Sequence, residues 1–164
     1  MSGAPCTFRI DRSPRLALVE HPIVGYSDWL RDFERRLALH DEGVAALARD
    51  LATRTRWDVR AGAPGFPPPA PHAGRPPDVV CERGAERPPV VFEVELPETL
   101  VRRDTVRRLA SLVNGAVDAR VVLIADDAHD DAIRDASRLL RRAGLEIPVA
   151  ALAPRSDTLT GADW

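Results

Sequence analysis

The sequence contains no lysine: all 23 of its basic residues are arginine. Schiff-base chemistry and the lysine-bearing phosphate loops of nucleotide hydrolases are therefore excluded. Cysteine is scarce, with Cys6 and Cys81 far apart and neither in a CxxC pair, which leaves a zinc ribbon or a dithiol redox centre without ligands. The histidines His21, His40, His72 and His129 are equally scattered. Aromatic residues make up 5% of the chain, few for stacking bases. No glycine-rich phosphate loop is present, which removes the support for a small-ligand-binding α/β domain. The N-terminus "MSGAPCTFRI" lacks the apolar core of a signal peptide, and no apolar run approaches the ~18 residues of a membrane span. A soluble, cytoplasmic protein without a membrane partner is the expectation. The formal charge of −2 requires any nucleic-acid binding to come from a local arginine face.

With 164 residues and 45% hydrophobic content, the chain has material for one domain with a real core. Residues 1–26 carry two short strand candidates, "CTFRI" and "RLALVE", among helix-breaking prolines, and read as an N-terminal extension that packs onto the main fold. Ser27 or Asp28 can cap a helix in which Leu30, Phe33, Leu37, Val44, Leu47, Ala48 and Leu51 form one apolar stripe. His40 and Asp41 fall inside that stripe and Glu42 on its flank, so either the helix breaks there or these groups point at something. "WDVRAG" reads as a strand, and the proline-rich loop 63–77 as a surface connection, a polyproline ligand only if it stands free of the fold.

"PDVVCE" and "PVVFEVEL" are strands joined by "RGAER", a link too short for a parallel crossover, so they form an antiparallel hairpin. A helix over 97–116, a continuously apolar strand "ARVVLIAD", an amphipathic helix "HDDAIRDASRLLRRAG" and a strand "LEIPVAALA" complete a domain over 27–153. Residues 154–164 are left as a loose tail. The element order αβββαβαβ predicts an α/β fold of three layers, α-β-α, with a mixed central sheet.

Two carboxylates interrupt the most apolar strand. Side chains alternate along a strand, so Val91, Glu93 and Glu95 share one face and Phe92, Val94 and Leu96 the other. A hairpin centred between Gly84 and Ala85 sets Asp78 opposite Val91, diagonal to Glu93 at roughly 7–8 Å, within joint reach of one ion. A slip of one residue turns Asp78 to the other face. The plain alternative is a half-exposed sheet face with solvated acids.

Asp78, at the end of "PPD", is followed fifteen positions later by "EVE" at 93–95, and the order of elements over 28–152 is the one around such acids in the PD-(D/E)XK, or restriction-endonuclease-like, nuclease superfamily. The chain resembles that superfamily in an ExE variant. The resemblance implies a restriction-endonuclease-like core, with Asp78 and Glu93 holding a divalent metal, Mg²⁺ or Mn²⁺. It departs from the usual pattern at Glu95, where lysine is customary and some members carry glutamate. A further acid or histidine from the preceding helix is implied in several branches, and Glu42, with His40 as its rival, is placed for that part. Many members dimerise to cut two strands, so a homodimer is among the expectations.

The chemistry suits phosphodiester hydrolysis, which needs charge neutralised on the phosphate and a water made acidic; a hard cation on carboxylates does both. Glu95 is then placed to orient or deprotonate the water. Arg102, Arg103, Arg107 and Arg108 follow on the next helix, and arginine suits phosphate because its planar fork donates two parallel hydrogen bonds. In a lysine-free protein such arginines are equally the only solubilising cations. Without metal, three close carboxylates repel and at least one titrates high, so metal is expected to stabilise the fold. Two functions follow: a Mg²⁺-dependent nuclease-like domain acting on DNA rather than RNA, or a catalytically inactive relative serving as a protein- or nucleic-acid-binding assembly module.

Overall fold

The computed structural model describes residues 7–9, 18–20, 26–72, 74–115, 117–124, 130–153 and 158–160. The chain divides into two compact units, Met1–Arg35 and Arg36–Trp164. The division falls inside the helix Tyr26–Arg54.

In the first unit, β1 (Thr7–Arg9) and β2 (Leu18–Glu20) pair antiparallel, with Phe8 opposite Val19. The helix α1, Tyr26–Arg54, starts just ahead of the expected caps and runs through His40, Asp41 and Glu42 without a break. Trp29 stacks on Phe33 with ring centroids 5.6 Å apart. Phe33 and Leu37 remain half-exposed, so the expected apolar stripe is buried only from Val44 through Leu47, Ala48 and Leu51.

The second unit holds a six-stranded sheet in sequential order: β3 (Asp58–Ala61), β4 (Val79–Glu82), β5 (Val90–Glu95), β6 (Asp118–Ile124), β7 (Val149–Ala153) and β8 (Thr158–Thr160). β3, β4 and β5 pair antiparallel, β5–β6–β7 parallel, and β8 antiparallel to β7. The sheet is mixed, as the combination of a short hairpin and two helical crossovers requires. Residues 158–160, expected within a loose tail, form its edge strand. The strand expected over 119–126 runs to Ile124, and its last two residues lie outside those described.

α1 covers one face: Val44, Leu47, Ala48 and Leu51 pack on Val59, Val79, Phe92, Val94 and Ile124. Gly43 permits the close approach, since a Cβ there would lie 2.0 Å from Cδ1 of Ile124. On the other face Leu100, Leu109, Leu112 and Leu140 pack on Val91, Val121 and Leu123. That layer is α2 (Pro97–Leu100), α3 (Arg103–Val113) and α4 (Asp130–Arg142). The three layers and the mixed sheet are thus as expected from the sequence.

The single helix expected over 97–116 is two, broken at Val101 and Arg102. In one continuous helix Leu100 and Leu109, nine residues apart, would point to opposite sides. The break lets both reach the core, where each is buried. Loop 63–77 folds back on the sheet: the Ala61 N–H donates to the Pro67 carbonyl at 3.0 Å, and His72 and Arg75 bridge each other. No helix among the described residues is long and apolar enough to cross a membrane.

Candidate functional site

The β4–β5 register has Val80 opposite Val91 and Val79 opposite Phe92. This is two residues away from the expected pairing, which had Asp78 opposite Val91. The cause is the turn, whose centre lies one residue later than assumed, with Gly84 taking φ +99° and the Arg87 N–H reaching the Gly84 carbonyl. Because side chains alternate, a shift of two keeps Asp78 on the glutamate face. Continued by one pair, the ladder sets Asp78 abreast of Glu93.

Glu93 and Glu95 are not solvated: they are 2% and 5% exposed. Their face of β5 looks toward α3, from which Arg108 enters with one guanidinium nitrogen on Glu93 Oε2 and the other on Glu95 Oε1. Glu95 Oε2 accepts from the Thr99 hydroxyl, which itself accepts the Leu96 N–H at 3.1 Å. Both oxygens of Glu95 are therefore engaged.

Asp78 Oδ2 accepts the backbone N–H of Val94 at 2.8 Å and faces His40 Nε2 at 3.5 Å. His40 Nδ1 lies 3.3 Å from Asp41 Oδ1. The α1 helix, kept close by Gly43, brings this imidazole to Asp78. Glu42, the expected auxiliary acid, is exposed: on an unbroken helix it projects two residues around from His40 and stays in water. Of the two, His40 is the one that α1 brings to Asp78.

Charge follows geometry. The hydrogen bond to Asp78, with that carboxylate's charge and Asp41 adding to it against the cost of burial, raises His40 to about 9. Burial works to raise Asp78, but the His40 hydrogen bond and charge, the Val94 N–H and Arg108 together hold it below the usual carboxylate range. Glu93 is pushed up to about 8, first by burial and then by the Asp78 charge, with Arg108 and Arg75 pulling the other way. Burial and the Asp78 charge thus disfavour the ionised form of Glu93, and the Arg108 guanidinium favours it.

Of the four arginines expected on the following helix, Arg108 alone turns inward. Arg102 and Arg103, expected to bind phosphate, are exposed at the start of α3, and Arg107 lies 3.7 Å from Asp104 on the surface. The signal for Arg108 was in the sequence: Thr105, Leu109 and Leu112 are the buried side of α3, and Arg108 falls on the same i, i+3, i+4, i+7 face. Arg75, from the folded-back proline loop, is a further cation near Glu93 that sequence spacing did not indicate.

A divalent metal fits this donor set in part. Among the described residues no group of three or more His, Cys, Asp or Glu side chains is arranged to hold one ion. Asp78 and Glu93 offer hard oxygen donors near one another. Glu95 is committed to Arg108 and Thr99. No family model and no curated protein sequence matches the chain.

Proposed function

We propose that this is a metal-dependent nuclease-like domain of the PD-(D/E)XK type, hydrolysing phosphodiester bonds in DNA with Mg²⁺ or Mn²⁺. The observation that carries the reading is the nearness of Asp78, just ahead of β4, to Glu93 on β5, backed by an internal cation, Arg108. The sheet order, with an antiparallel hairpin followed by parallel crossovers and a helix layer on each face, agrees with the core the resemblance implies. Fold alone does not carry activity; the site does.

Asp78 and Glu93 are the residues that would hold the ion. When bound, it would supply charge neutralisation at the scissile phosphate and acidify a water. Asp78 is kept ionised for that role by His40 and the Val94 N–H. The added positive charge would favour the ionised form of Glu93, which burial and Asp78 disfavour. Glu95, with both oxygens occupied, positions Arg108 rather than activating water. Arg108 takes the place of the customary lysine as the cation of the site, and Arg75 adds positive charge near Glu93.

The same Arg108 fork is the specific observation that favours the alternative, a catalytically inactive module in which the arginine permanently satisfies both glutamates. Cleavage of supercoiled DNA separates the two. The nuclease reading expects Mg²⁺-dependent nicking by the wild type that Glu93→Gln loses while keeping its circular dichroism spectrum. Nicking unchanged in Glu93→Gln, or absent with every divalent metal, leaves the module.

A further inference from the structure

We propose that Arg108 is a gate on the site: its guanidinium occupies the cation position between Glu93 and Glu95, and a divalent metal gains Glu93 only when this fork lets go. The inference rests on the reading of Asp78 and Glu93 as the metal pair.

The fork is built rather than incidental. It enters from the buried side of α3 beside Leu109, its side chain is 13% exposed, and it meets two carboxylates that are buried on a strand in the sheet interior. Each partner is held independently: Thr99 fixes Glu95, and the β5 backbone fixes Glu93 next to Asp78, whose own orientation is set by the Val94 N–H. The two glutamates stand two residues apart on one face, a spacing that suits the two nitrogens of one planar guanidinium.

A guanidinium and a divalent ion cannot both take the negative charge of Glu93 without repelling across a few ångströms, so the two compete for one carboxylate. The fork is strong enough to matter, because both bonds are charge-assisted and shielded from water. Release is feasible because Arg108 has a long side chain. Once off the glutamate it carries a fork free for an anion, and the substrate of the proposed reaction offers a phosphodiester oxygen.

The test is calorimetric titration of Mn²⁺, without nucleic acid, into wild type, Arg108→Gln, Arg108→Lys and Arg75→Gln. Each is repeated with Asp78→Ala added, to identify the heat that belongs to the site. Arg108→Gln is expected to bind Mn²⁺ at least about tenfold more tightly than wild type, the effect of one charge-assisted hydrogen bond lost from the competing state. Arg108→Lys, which keeps the charge and loses the fork, is expected to lie closer to Arg108→Gln than to wild type, and Arg75→Gln to stay within about threefold of wild type.

Equal affinity in Arg108→Lys and wild type overturns the gate, because charge alone would then account for any change. Weaker binding in Arg108→Gln overturns it too. If the Gln variant does not fold, Arg108→Lys and Glu95→Gln, which removes one arm of the fork, decide the matter: tighter Mn²⁺ binding in both supports the gate, and no change in either overturns it. Absence of any Asp78-dependent heat in every variant overturns the metal site itself, an outcome distinct from a failed gate.

Discussion

The backbone N–H of Val94 donates to Asp78 Oδ2 at 2.8 Å. One bond thus ties the residue just ahead of β4 to the residue that separates the two buried glutamates of β5. It fixes the Asp78 carboxylate at the edge of the hairpin and helps keep it ionised.

Asp78→Ala removes the acceptor of this part-buried N–H and leaves His40 with Asp41 as its carboxylate neighbour. It is expected to lower the unfolding free energy by about 1–3 kcal/mol, whereas Asp78→Asn, which keeps an oxygen acceptor, costs less. Urea denaturation of both variants measures the difference, and equal losses would show that the Val94 bond contributes little.

Arg108→Ala strands two buried carboxylates, and losing one partner of such a cluster costs about 3–5 kcal/mol. Glu93→Gln introduced into the Arg108→Ala background is expected to restore part of that loss, because the stranded charge is gone. A double-mutant cycle by denaturant melting checks this. Additive losses would mean that the fork and Glu93 are not coupled.

Stability depends on pH through groups on both sides of the site. Glu93, raised from 4.5 to about 8, binds its proton more tightly in the folded state. Its contribution is complete below the unfolded value and is lost as pH rises through about 8. His40, raised from 6.5 to about 9, acts in the same direction at slightly higher pH. Asp78, lowered, contributes at and above the ordinary carboxylate range and loses its contribution in acid. The unfolding free energy is therefore expected to fall from pH 4.5, the unfolded Glu93 value, to about pH 9, the folded His40 value, with a shallower slope in Glu93→Gln and in His40→Gln. An unchanged slope in both variants would contradict the assignment.

Gly43→Ala places a Cβ 2.0 Å from Ile124 Cδ1 and 2.7 Å from its Cγ1. Overpacking of about 1–3 kcal/mol is expected to exceed the roughly 1 kcal/mol gained in helix propensity. Displacement of α1 also moves His40 from Asp78. Thermal melting and the NMR titration of His40 read the two effects, the second as a lowered His40 pKa.

The layers and the antiparallel hairpin were legible because short links and strand alternation admit few arrangements. The pairing of Asp78 was legible only as a face and not as a register. The turn after Glu82 has seven residues up to Val90, and nothing in "RGAERPP" states where its centre falls. The break at Val101–Arg102 has no proline or glycine to mark it; the half-turn offset between Leu100 and Leu109 was the available sign. His40 and Glu42 were both candidates on a helix stripe, and only the depth of α1, set by Gly43 against Ile124, selects the imidazole. Arg75 came from a loop whose path depends on backbone bonds among prolines, which periodicity does not encode.

The most direct test of the central claim is calorimetric titration of Mn²⁺ into wild type and Asp78→Ala. The account predicts a saturable heat in the wild type that disappears in the variant, since Asp78 and Glu93 form one donor pair. Equal heats in both proteins, or none in the wild type, would contradict it.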